Sequence, residues 1–242
     1  MPNSELPRSP QVWRLVQGLL VVLISGFGAA CVPMQTKQEA FPLMFTEGKP
    51  QTIVVVPAIN ESTAADAPDY LNVTVSKPLA NQGFYIVPVS IAADIFRDEG
   101  VVDGAQLKGL PPALFLETFG ADAVLFITIN KWDKNFYIIG SNVTVELEYL
   151  LLSTRTEEVL WAYKGAIVVS PQKSNSGNPI ADLVANAISS AITTATTRYI
   201  DVAGRVHDSV LVTMPYGRYH PKAGKDGSMK TVATKQVSEA LE

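Results

Sequence analysis

Few residues in this chain are placed to do covalent chemistry. Its 242 residues include one cysteine, Cys31, which directly follows Gly28-Ala29-Ala30. The small side chains before it fit a signal peptidase cleft, and cleavage there makes this thiol the mature N-terminus. The two histidines, His207 and His220, have no thiol left to share a metal with once Cys31 is acylated, and both read as surface side chains near the C-terminus. Asp94 with Asp98, and Glu157 with Glu158, are carboxylate pairs at close spacing, but general acid–base work needs such a pair in a cleft, and helix and hairpin surfaces carry them routinely. The glycine-bounded stretch 100–109 lacks the Lys-Ser/Thr pair of a phosphate loop and lies between two expected helices rather than directly after a strand. These residues point to a cleaved leader ending at Cys31, with no reaction, metal or cofactor implied.

The segment ahead of Cys31 supports that reading. Arg8 and Arg14 supply positive charge, residues 15–27 an apolar stretch, and 28–30 the small residues of a cleavage site. Between Arg14 and Cys31 lie 16 residues, Gln17, Ser25 and three glycines among them, short of the ~20 apolar residues a spanning helix needs. The pattern resembles the lipobox of bacterial lipoproteins, with Gly28 where leucine is commoner, and that resemblance implies a thioether-linked lipid on Cys31. A plain secretory signal cut near Ala30 and an uncleaved anchor are the alternatives. In Gram-negative lipoproteins an Asp after the acylated cysteine holds the protein at the inner membrane; the residue here is Val32, so the resemblance implies the outer membrane.

Removing residues 1–30 takes away Glu5, Arg8 and Arg14 and leaves 17 basic against 22 acidic side chains, a net charge of −5. With no long Lys/Arg run to neutralise phosphates, nucleic acid is excluded as a partner. A mature chain of this length buries a core without disulfides, and none can form.

The elements that would position any site follow from periodicity. Residues 32–51, scattered with Pro33, Pro42, Gly48 and Pro50, read as a tether, so that the chain divides into a leader (1–30), a tether (31–51), an α/β domain (52–200) and a tail (201–242) whose last twenty or so residues are disordered. Residues 52–58 (TIVVVPA) predict a central strand buried on both faces. A helix is expected from Pro68 to about Asn81, kinked at Pro78, then a strand over 84–89 that makes a β-α-β unit. Ser90 is expected to cap a helix over 91–99, and Pro111-Pro112 to open another ending at Phe119. Strand 123–129 then begins a meander running to residue 169. In it Val143, Val145, Leu147, Tyr149 and Leu151 share one face, and Val159, Trp161 and Tyr163 repeat the alternation. Asn178-Pro179 starts a helix with Ile180, Leu183, Val184, Ala187, Ile188, Ala191, Ile192 and Ala195 on one stripe. The expected fold is a single α/β domain, ordered β-α-β-α-α-β-β-β-α, with helices packed on a mixed sheet.

Two aromatic clusters are the candidate contact residues, because aromatics and Arg anchor interfaces. Trp132, Phe136 and Tyr137 sit on the loop expected between the third and fourth strands, as an exposed tip or a buried lid. Tyr216, Arg218, Tyr219 and His220 sit on a turn bounded by Pro and Gly, facing a partner or folded back on the body.

The stretches GAAC, IVVVPAINES, PPALFLETFGADAVLFITINKWDKNF, VLWAYKGAIVVSP and PYGRYHP resemble a family of bacterial lipoproteins of unassigned function, the meningococcal vaccine-antigen type. The strand-helix order ending in GADAVLFITI also resembles the TolB N-terminal domain and curli-secretion-channel lipoproteins. The resemblance implies a non-catalytic accessory of envelope secretion or transport, held to the membrane by its N-terminal lipid and docked on other envelope lipoproteins or a channel, with a homo-oligomer as a further option. The alternative is a periplasmic protein that binds a small ligand for a transporter. It would need a sizeable apolar pocket with converging polar groups.

Overall fold

The computed structural model describes residues 35–46, 49–137, 140–169 and 198–231, with side chains except at 134–137, 140–142, 168 and 169. The leader, Cys31 and the helix expected over 178–195 lie outside the described residues.

The first described element is β1 (Gln35–Thr36), which runs into α1 (Lys37–Ala40). Thr36 starts this helix with a capping box: its Oγ1 accepts the Glu39 N–H at 3.3 Å while the Glu39 carboxylate accepts the Thr36 N–H at 2.8 Å. A 3-10 turn, Pro42–Phe45, follows, and Phe41 and Met44 are buried. The described part of the expected tether, residues 35–46, is therefore packed onto the domain, because its few apolar side chains find a core to enter.

β2 (Thr52–Val55) forms where the central strand is expected but lies second from the edge of the sheet, and the short β3 (Ile59–Asn60) follows Pro57. The expected helix 68–81 is two, α2 (Ala67–Thr74) and α3 (Ser76–Asn81). The break falls at Val75, which places Pro78 in the first turn of α3, where a missing N–H leaves no bond unmade. β4 (Tyr85–Ile86) is shorter than expected because α4 (Val89–Asp98) starts right after Pro88; its N-cap is that proline, not Ser90. α5 (Ala113–Phe119) follows Pro111-Pro112 and ends at Gly120, in the left-handed conformation at φ 63°.

β5 (Ala123–Tyr137), β6 (Gly140–Ser153) and β7 (Val159–Val169) form the meander, with the first strand about twice its expected length. α6 (Tyr199–Leu211) and β8 (Lys230–Thr231) close the described chain. The region expected as a tail thus begins as a packed helix: Val202, Ala203, Val206, Val210 and Leu211 are buried.

The main sheet runs β4-β2-β5-β6-β7, with β3 also on β5; β2 is parallel to β4 and β5, and β5, β6 and β7 are antiparallel. The domain is a mixed α/β fold, as expected. Alternation along β2 and β5 splits the core in two. Ile53, Val55, Leu125 and Ile127 face a layer that includes α2, α3 and α6, while Val54, Val56, Val124 and Phe126 face α4 and α5. A bulge at Leu160 shifts β7 by one residue, so Val159 pairs with Leu152 on the outer face while Trp161 pairs with Leu151 on the core face. Val159 and Trp161 therefore do not share a face.

Candidate functional site

The chain ends of the described domain meet at one place. β1 pairs antiparallel with β8, Gln35 opposite Thr231. Beside this ribbon Lys37 is buried to 1% exposure, its Nζ donating to the Met214 carbonyl at 2.7 Å and to Asp226 Oδ2 at 3.1 Å. Asp226, equally buried, also accepts the Tyr216 N–H at 2.9 Å. The ammonium lies 4.7 Å from the centroid of the Tyr216 ring, and His220 stacks on Tyr216 at 3.6 Å. Burial lowers the Lys37 pKa, and the Asp226 carboxylate opposes that shift. This latch was missed from sequence: a lone lysine in a polar arm reads as solvated, although the Thr36…Glu39 spacing could have marked the helix that aims it.

The turn 215–221 docks on the start of β4. Gly217 N–H donates to the Gln82 carbonyl at 2.8 Å and Tyr219 N–H to the Gly83 carbonyl at 3.0 Å. Gly83 has φ +87° and its missing Cβ would lie 2.3 Å from the His220 nitrogen, so only glycine allows this approach. Of the candidate residues on the turn, Tyr216 and His220 are half-buried in the latch, whereas Arg218 and Tyr219 are exposed, Tyr219 to 64%.

The other aromatic cluster is divided. Trp132 is 4% exposed and belongs to the core, which removes it as a contact residue. A bulge between Ile129 and Lys131 is the reason, since it shifts the phase of β5 so that Trp132, opposite Val145, takes the inward position. Phe136 and Tyr137 lie at the far end of β5, where only their backbone is described.

At the carboxyl ends of the adjacent parallel strands β2 and β4, a crevice of about 810 Å³ opens between α2 and α4. Asp69, Asn72, Ser76, Ser90 and Arg97 are its polar lining, and Val73 and Val102 line it with their side chains largely in solvent, Val102 to 84%. Open α/β sheets take ligands at this position, where the chain leaves neighbouring strands toward opposite faces. Asn72 is engaged, its Oδ1 accepting the Ala58 N–H at 3.1 Å, and Arg97 pairs with Asp94 at 2.6 Å. That ion pair accounts for Asp94 as a surface group.

His207, expected at the surface, is instead fully buried. Its Nε2 lies 3.0 Å from the Leu71 carbonyl, which can only accept, so Nε2 carries the proton and Nδ1 accepts from the Tyr149 hydroxyl at 2.9 Å. Burial pushes the imidazole pKa down to about 4, against the Leu71 hydrogen bond, and holds the Tyr149 hydroxyl well above its usual range. Both hydrogen bonds are internal, which assigns the pair a packing role. Among the described residues no group of three or more His, Cys, Asp or Glu side chains is arranged to hold a metal.

Known proteins resemble this chain. The "Putative lipoprotein NMB1124/NMB1162" of Neisseria meningitidis serogroup B is 29% identical over 181 residues, 74% of this chain and 82% of that one. The crystal structure of lipoprotein GNA1162 from Neisseria meningitidis matches at 30% identity and a TM-score of 0.47, over 53% of this chain and 89% of the other. The PelC dodecamer of Paraburkholderia phytofirmans matches at 13% identity and a TM-score of 0.36, over 66% and 88%. A family model, "Putative lipoprotein GNA1162-like", matches residues 43–218, from the 3-10 turn through the turn docked on β4, and the chain belongs to that family.

Proposed function

We propose that this protein is acylated at Cys31, anchored in the outer membrane facing the periplasm, and serves as a non-catalytic interaction subunit of an envelope secretion or transport assembly. Membership of a lipoprotein family and the GAAC leader with Val32 behind it support the anchor. The docking role rests on one observation, the exposed apolar side chains of Val73 and Val102 lining the crevice where β2 and β4 end. Isolated exposed apolar residues are ordinary, but a group of them around a crevice marks a contact surface. The β5–β6 hairpin projects from the same end of the sheet, carrying the backbone of Phe136 and Tyr137.

A photo-crosslinking residue in place of Val102, in the protein expressed in its own host, tests this reading. A discrete adduct with another envelope protein or with a second copy is expected, and its absence, with the protein folded and membrane-bound, counts against docking. Intact-mass analysis of the purified protein tests acylation separately. The crevice also favours a second reading, a small-ligand accessory of a transporter, and a copurified small molecule in a native mass spectrum would favour that one.

A further inference from the structure

The segment that folds back over the chain ends has a charge unlike the rest of the molecule. The mature chain carries a net charge of −5, yet residues 216–231 contain Arg218, Lys222, Lys225 and Lys230 against Asp226 alone, and Asp226 is buried and spent on Lys37. All four cationic residues are exposed, and Arg218, Lys222 and Lys225 make no ion pair among the described residues. A turn closed by the Lys225 N–H on the Lys222 carbonyl at 3.0 Å holds two of them together. Tyr219 and Met229 stand exposed in the same segment.

Covalent connection says what this surface meets. Met229 accepts the Lys37 N–H at 2.8 Å and Lys230 pairs with Thr36, so the basic segment is fixed to the chain just after Gln35. From Cys31 to Gln35 is four residues, a reach of about 14 Å at full extension. We infer that this cationic, tyrosine- and methionine-bearing face lies on the bilayer to which Cys31 is attached and binds anionic phospholipid headgroups. The inference rests on the proposed anchoring for its location, while headgroup binding is a property of the folded face itself. Acyl chains with a polybasic patch form a two-part membrane attachment, each partly desolvated cation adding to the affinity for an anionic surface. The Lys37–Asp226 latch then has a purpose beyond stability, since it keeps the patch beside the anchor.

Mature protein, residues 31–242 with Cys31→Ser, retains every described core residue and is measured against vesicles of phosphatidylcholine alone and of phosphatidylcholine with phosphatidylglycerol. Binding to the anionic vesicles only, abolished at high salt, is expected. The double variant Lys222→Gln/Lys225→Gln should bind them roughly thirtyfold more weakly, about fivefold per cation, without losing its fold. Equal affinity for both vesicles, or unchanged binding by the double variant, overturns the inference. No vesicle binding, with the same lysines instead required for a salt-sensitive protein contact, overturns it in favour of an acidic protein partner. Because the protein tested has no lipid, a failed acylation shows in the intact mass and leaves this result separate.

Discussion

Polar residues buried in this domain state how it responds to pH. His207 is neutral in the folded protein, with a pKa of about 4 against an ordinary value of 6.5. Above pH 6.5 both folded and unfolded chains hold it neutral, and it contributes nothing to the pH dependence. As pH falls from 6.5 toward 4 the unfolded chain takes up a proton that the folded one refuses, so stability drops by about 3 kcal/mol. Denaturant unfolding at pH 7 and pH 4.5 should show this loss, and His207→Gln, though less stable at pH 7, should flatten the slope. Tyr149→Phe leaves Nδ1 of a buried imidazole without its donor, and a cost of about 1 to 3 kcal/mol at pH 7 is expected in the same measurement. At the latch, Asp226→Ala strands the Lys37 ammonium in the interior and should cost about 3 to 5 kcal/mol, whereas replacing both partners together by Met and Leu should cost less than the single change. A double-mutant cycle on unfolding free energies decides this, and additive losses would mean the two charges do not act as a pair.

Elements dock here through close approaches as much as through side chains. The turn 215–221 reaches β4 because Gly83 and Gly217 have no Cβ: at Gly217 one would lie 2.4 Å from the Gly83 carbonyl oxygen. Gly83→Ala should therefore detach the turn, in addition to straining a backbone at φ +87°, and raise the rate of proteolysis after Lys222 and Lys225 while the sheet stays protected. Hydrogen exchange that shows the 215–231 segment unchanged would contradict this. Sequence pattern read the sheet well, because strict alternation on β6 and a β-branched run on β2 are dictated by which faces are buried. It failed where a bulge shifts phase, at Asn130 and Leu160, since one extra residue leaves composition untouched while turning Trp132 inward and Val159 outward. It failed again where partners lie far apart in sequence. Nothing near Lys37 signals Asp226, and nothing near His207 signals Tyr149 or the Leu71 carbonyl, so an arm and a tail were expected where the molecule has a latch and a packed helix.

The described domain, taken whole, has two ends. The β1–β8 ribbon, the latch and the turn on Gln82 and Gly83 lie at the amino end of β4, while the crevice and the β5–β6 hairpin lie at the carboxyl ends of β2, β4 and β5. From Leu125, beside Val55 at the end of β2, β5 runs on to Tyr137, about 40 Å further, so the hairpin tip stands far from the latch. If Cys31 holds the latch end at the bilayer, the crevice rim points away from it, which fits lipid contact at one end and protein docking at the other. Cys31 is the only native thiol, so in the acylated protein that we propose a single introduced cysteine carries a unique label. In the acylated protein reconstituted into vesicles with a headgroup-attached energy acceptor, a donor at Met229→Cys should transfer strongly and one at Val102→Cys weakly. Lys222→Gln/Lys225→Gln should narrow that difference, because a domain held by acyl chains alone tumbles about its short connection. Equal transfer from both labels in the unaltered protein would mean that the domain has no fixed face toward the membrane.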